Sequence, residues 1–109
     1  MVSFDGVNWD NTMKMSYLQR RIIIHSILYY EMDESVISDA EFDSMARQLV
    51  ALMNESTQEQ REATRYWYVM NNFDASTGHH IYSRLNSRDK MYLRHIAGLV
   101  LDICERRSK

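Results

Sequence analysis

Apolar residues recur at steps of three and four through much of the chain, the period of a helix packed along one face. Met15, Leu18, Ile22, Leu28 and Tyr29 fall at helical spacings and predict a first helix from a cap at Asp10 or Asn11 to about Met32. The run Ile22-Ile23-Ile24 favours a strand when taken alone, because β-branched side chains suit a pleated surface. Its neighbours keep the helical step and no turn residues bracket it, so the helix prevails. Three adjacent isoleucines also predict that this helix is covered on more than one side, as a central member of a bundle.

A second stripe, Phe42, Met45, Leu49, Leu52 and Met53, predicts a helix from Asp39 to Glu55, antiparallel to the first. Its start is well marked: Ser38 is placed to cap it, Glu41 stands three residues on to reach back, and Asp39 favours the positive end of the dipole. Such a cap contributes about 1 kcal/mol. Ser56 or Thr57 can open a third helix, with Glu59 and Gln60 each three residues beyond one candidate cap. That helix is predicted to continue along the aromatic stripe Ala63, Tyr66, Trp67, Met70 and Phe73. Asn71 to Gly78 is the strongest breaker segment. Beyond it the pattern predicts a short helix from His79 to Leu85. A last helix, capped by Asn86 or Ser87, then runs to about Arg107.

In that last helix Leu93, Ile96, Ala97, Val100 and Cys104 form the expected buried stripe, widened by Tyr92, Leu99 and Ile103. Gly98 costs about 1 kcal/mol against alanine within a helix, which predicts a close approach by another helix as its reason. At the other end, Met1 to Asn11 reads as an arm docked through Phe4, Val7 and Trp9.

Composition sharpens this picture. The chain has no proline and three glycines among 109 residues, which fits helices and not a succession of tight hairpins. The expected fold is all-α: a compact bundle of four to five helices opening on a helical hairpin. It forms one domain over residues 1–109, with the hairpin at 12–55 and additional C-terminal helices at 56–107. Thirteen basic and fifteen acidic residues leave a net charge of −2, which disfavours direct nucleic-acid binding. One cysteine, no apolar leader and no span of membrane length predict a protein of the reducing cytoplasm.

The chemistry concentrates between Tyr29 and Asp43. Tyr29 and Tyr30 close the first helix, an acidic turn with Asp33 and Glu34 follows, and Asp-Ala-Glu-Phe-Asp at 39–43 opens the second. Asp39 and Asp43, four apart, share a helix face, with Phe42 beside them. This order and spacing, over roughly Leu18 to Leu52, resembles the small N-terminal helical domain of bacterial NAD-dependent DNA ligases, domain Ia. That family shows a Tyr-Tyr or Tyr-His pair, a short acidic loop and then Asp-x-Glu-Tyr-Asp. Phe42 stands here for the family's tyrosine, keeping a stacking face without the hydroxyl, and Ser38 stands where proline is frequent. The resemblance implies that Tyr29, Tyr30, Asp39, Phe42 and Asp43 grip the nicotinamide mononucleotide half of NAD, with Arg20 and Arg21 as upstream candidates for its phosphate. Read without the resemblance, the same residues serve as hairpin contacts, caps and solubilising charge.

Other candidates carry less. DNA ligation needs a lysine nucleophile in a Lys-x-Asp-Gly setting, and Lys14, Lys90 and Lys109 lack it, so no enzymatic activity is expected. His79-His80, His95 and Cys104 have no metal-ligand spacing. Tyr68, beside Trp67 and near Arg61 and Arg65, is a candidate contact for a protein partner, and the tail Arg106-Arg107-Ser108-Lys109 is too short to bind nucleic acid alone.

Two readings follow. The first is a stand-alone, phage-type accessory protein without catalysis that recognises NAD or nicotinamide mononucleotide and serves a ligase or another nucleotide-using enzyme. The second is a small phage-encoded inhibitor of a host defence nuclease, of anti-CRISPR type. It would present Asp33, Glu34, Asp39, Glu41 and Asp43 to a basic groove.

Overall fold

Helix α1 spans Asn11–Glu31 and carries the isoleucine run, whose three side chains are all buried. A computed structural model describes residues 2–73 and 80–107, the side chains of 106 and 107 excepted. The elements after α1 are α2 (Asp39–Glu55), α3 (Gln58–Glu62), α4 (Trp67–Met70), α5 (Ile81–Arg84) and α6 (Ser87–Arg107), with no strand among the described residues. The protein is all-α. α1 packs chiefly against α2 and α6 and also touches α3 and α5, which is why its apolar residues are not confined to one stripe. One continuous apolar cluster draws Met15, Leu18, Ile22 and Ile27 from α1, Met45 and Leu49 from α2, Val69 and Met70 from α4, Ile81 from α5, and Leu93 and Ala97 from α6.

The start of α1 is held by Asp10, whose side chain accepts a hydrogen bond from the Met13 N–H. The N-terminal arm docks through rings: Phe4, Trp9 and Tyr17 form a triad with centroids 5.6–6.0 Å apart. It docks also through the backbone of Val2, which exchanges two hydrogen bonds with the Gln48 amide on α2. Val7, expected as an anchor, is exposed instead.

The predicted long third helix breaks in two, and buried polar groups explain why. The Gln19 amide donates to Thr64 Oγ1 at 2.9 Å and accepts from the Tyr66 N–H at 3.0 Å. Thr64 Oγ1 in turn donates to the Arg61 carbonyl, and the Arg65 N–H donates to Ser16 Oγ. Side chains of α1 thus take the N–H groups that a continuing helix would have turned inward. Thr57 and Gln60 form the reciprocal capping box of α3.

In α6, Leu93 and Ala97 are buried and Ile96, Val100 and Cys104 partly so. Tyr92, Leu99 and Ile103, expected to widen the buried stripe, are instead about half exposed, with Met91 more so. Gly98 faces open space: a Cβ built there meets nothing within 4 Å, so no close helix crossing accounts for it. No helix among the described residues is long and apolar enough to cross a membrane.

Candidate functional site: the cleft between the α1 and α2 ends

The turn from α1 to α2 is wide. The Met32 N–H bonds to the Ile27 carbonyl at 3.1 Å and the Glu34 N–H to the Leu28 carbonyl at 2.8 Å, each a longer step back than the helical four. Between them Asp33 adopts φ 52, the left-handed region that aspartate enters more readily than branched residues do. Val36 and Ile37 then fold back against the core cluster, and Ser38 starts α2 by accepting from the Glu41 N–H at 3.1 Å. The reciprocal reach of Glu41 to the Ser38 backbone is not formed, so this cap is one-sided, unlike that of α3.

This path opens a cleft of about 140 Å³ lined by His25, Ser26, Leu28, Tyr29 and Tyr30 from α1, residues 34–38 of the turn, and Asp39 and Phe42 from α2. Tyr29 and Tyr30 are 53% and 45% exposed, and their rings meet edge to face at 4.8 Å. Phe42 is partly buried against the core, while Asp39 and Glu34 are exposed. Four of the five residues expected to contact a nucleotide, Tyr29, Tyr30, Asp39 and Phe42, therefore line one cleft. The fifth does not. Asp43 pairs with Arg47 at 3.0 Å and lines a separate groove with Phe4, Lys14 and Gln48.

No lysine or arginine lines the cleft. Arg20 donates to the Tyr92 hydroxyl and lies over that ring, and the Arg21 guanidinium lies over Tyr17, so neither upstream arginine lines the cleft. Aromatic faces beside carboxylates, without cations, suit a flat ring bearing positive charge and repel a polyphosphate. A nicotinamide ring in its pyridinium form fits this donor set, with Tyr29 and Phe42 to stack on it and Asp39 and Glu34 to balance its charge.

The floor was not legible as a site. His25 and Ser26 precede Tyr29 by four and three residues and so share its helix face. His25 is 9% exposed, and burial, aided by the Arg21 guanidinium and opposed by Glu41, lowers its pKa to about 4. Ser26 is 2% exposed, and its hydroxyl is the one buried side-chain oxygen or nitrogen among the described residues without a hydrogen bond. An unmade bond of that kind costs about 1–3 kcal/mol.

The family model described as DNA ligase-like, N-terminal NAD+-binding domain matches residues 9–64, just over half of the chain. The protein belongs to this family. The match extends beyond the motif at both ends, taking in Trp9 of the docked arm and Thr64, the partner of Gln19. No curated protein and no solved structure matches the chain. In the frame of the ligase-like NAD+-binding domain, the cleft lies where the motif residues of α1 and α2 converge.

The remaining candidates lie elsewhere. Tyr68 on α4 donates its hydroxyl to Asp89 Oδ2, and burial followed by that bond raises its pKa. Asp89, 3% exposed, also receives Arg65 Nη2 at 2.9 Å, so Tyr68 and Arg65 tie α4 and its approach to the start of α6. Asp33, Glu34, Asp39 and Glu41 are exposed around the turn. His79 and the end of the basic tail lie outside the described residues, as does most of the breaker segment. No three His, Cys, Asp or Glu side chains converge as metal ligands among the described residues.

Proposed function

We propose that this ligase-like NAD+-binding domain is a recognition module without catalytic activity, holding the nicotinamide mononucleotide half of NAD, or the free mononucleotide, in the α1–α2 cleft. The observation that carries this reading is the meeting of Tyr29, Phe42, Asp39 and Glu34 around one slot without a cation, in a chain of this family. The ring stacks, the carboxylates orient it, and the phosphate stays at the open mouth. Lys14 lies over the Phe4 ring and Lys90 over Tyr82, and neither lines the cleft. Such a module serves as an accessory to a ligase or another nucleotide-using enzyme. The acidic-surface reading draws less support, because Asp43 is paired with Arg47 and the Tyr68 hydroxyl is taken by Asp89.

The test is a melting curve with added NAD or nicotinamide mononucleotide. A ligand at a hundred times its dissociation constant stabilises by about 2.7 kcal/mol, a rise of many degrees for a chain this small. Tyr29→Ala, at a half-exposed position, removes the rise while leaving the ligand-free curve in place. Absence of any shift with the unaltered protein at millimolar ligand rejects the reading.

A further inference from the structure

Stacking and charge balance at the mouth leave two groups of the cleft floor unused. Ser26 lines the cleft with a buried hydroxyl that makes no hydrogen bond, although a serine in mid-helix ordinarily returns its proton to the carbonyl four residues back. His25, one position earlier, lines the same floor and makes no side-chain hydrogen bond among the described residues. Both lie on the α1 face that carries Tyr29, in the cleft that Asp39 and Phe42 of α2 also line.

We propose that Ser26 and His25 form a specificity floor that reads the primary carboxamide of a pyridinium ligand and selects it against the corresponding carboxylate. The inference rests on the nicotinamide reading of the cleft and adds the residues that distinguish amide from acid. A carboxamide offers two N–H donors and an acceptor. A serine hydroxyl gives and accepts, and a neutral imidazole presents one donor and one acceptor, so the sets match. A carboxylate only accepts, and it brings negative charge beside Asp39 and Glu34 in a cleft that no lysine or arginine lines, the Arg21 guanidinium near His25 being engaged over the Tyr17 ring. His25 supplies no compensating charge near neutral pH, since burial and Arg21 hold it uncharged against the pull of Glu41.

The experiment is calorimetric titration of the full chain with nicotinamide mononucleotide and with nicotinic acid mononucleotide. The unaltered protein is expected to prefer the amide by at least about tenfold, the scale of one good hydrogen bond. Ser26→Ala is expected to weaken the amide by about tenfold and leave the acid within about twofold, closing the gap. Its ligand-free melting temperature stays level or rises, because an unsatisfied hydroxyl has been removed. His25→Phe, which keeps a ring and loses both nitrogens, gives the same selective loss. Amide binding that survives Ser26→Ala and His25→Phe undiminished, or a fall for both mononucleotides alike, overturns the floor while leaving the stacking cleft in place. Failure of the unaltered protein to bind the amide overturns the cleft assignment and the floor with it.

Discussion

His25 shows how one side chain links burial to acid sensitivity. Its folded-state pKa of about 4 lies below the ordinary 6.5, so between those values the unfolded chain binds the extra proton. Stability is therefore fully present above pH 6.5, declines as pH falls, and the contribution is gone by about pH 4. The full difference is on the order of 3 kcal/mol. Melting curves across that window are expected to fall more steeply for the unaltered protein than for His25→Phe, and parallel curves reject the assignment. Asp33 offers a backbone counterpart. Its left-handed φ makes Asp33→Val cost about 1–2 kcal/mol, whereas Asp33→Gly is tolerated; chemical denaturation of both variants measures the difference. The residue scale is also where sequence reading reached furthest and then stopped. The tyrosine pair, Asp39 and Phe42 were readable because spacing places them at two helix ends. Asp43, at the same spacing, lines a different groove, where its i+4 partner Arg47 shares its carboxylate. Ser26 was invisible, because an unmade hydrogen bond leaves no trace in a pattern of residue types.

At the scale of elements, α1 and α2 were legible almost to the residue, since caps and apolar period agree there. The split between α3 and α4 was not, because its cause lies forty-odd residues away on α1, where Gln19 and Ser16 take backbone N–H groups of the break. Gln19→Ala leaves the buried Tyr66 N–H without a partner and is expected to destabilise by about 1–3 kcal/mol in urea unfolding. A smaller effect means that α3 and α4 repair the break by fusing, which a gain in helical circular dichroism reveals. The last helix holds the opposite case. Gly98 faces open space, so Gly98→Ala is expected to stabilise by about 1 kcal/mol. A loss of stability there would imply a contact that the structure does not show.

Over the whole molecule, the all-α architecture follows from the absence of proline, the few glycines and the long periodic stretches. What composition could not supply is the order of layers around α1, which packs against α2, α3, α5 and α6. Joining α4 to α6 beside this frame is the task of Asp89, a carboxylate held by Arg65 and Tyr68 and nearly closed to water. Asp89→Ala is expected to cost about 2–4 kcal/mol, by loss of the charged bonds and exposure of Tyr68 and Arg65 to an empty site. Tyr68→Phe is expected to cost only about 1 kcal/mol, because Arg65 still holds the carboxylate. Equal losses from the two variants would show that the tyrosine bond carries the junction.

The placement of the two indoles has a practical side. Trp9 meets Phe4 and Tyr17 at tilted angles in the arm, Trp67 sits at the start of α4, and neither borders the cleft. Intrinsic tryptophan emission is thus a poor reporter of occupancy, and a flat titration read by fluorescence would say little about binding. Phe42→Trp, with Trp9 and Trp67 exchanged for phenylalanine, would set a lone fluorophore in the wall and make quenching by an arriving ring directly visible.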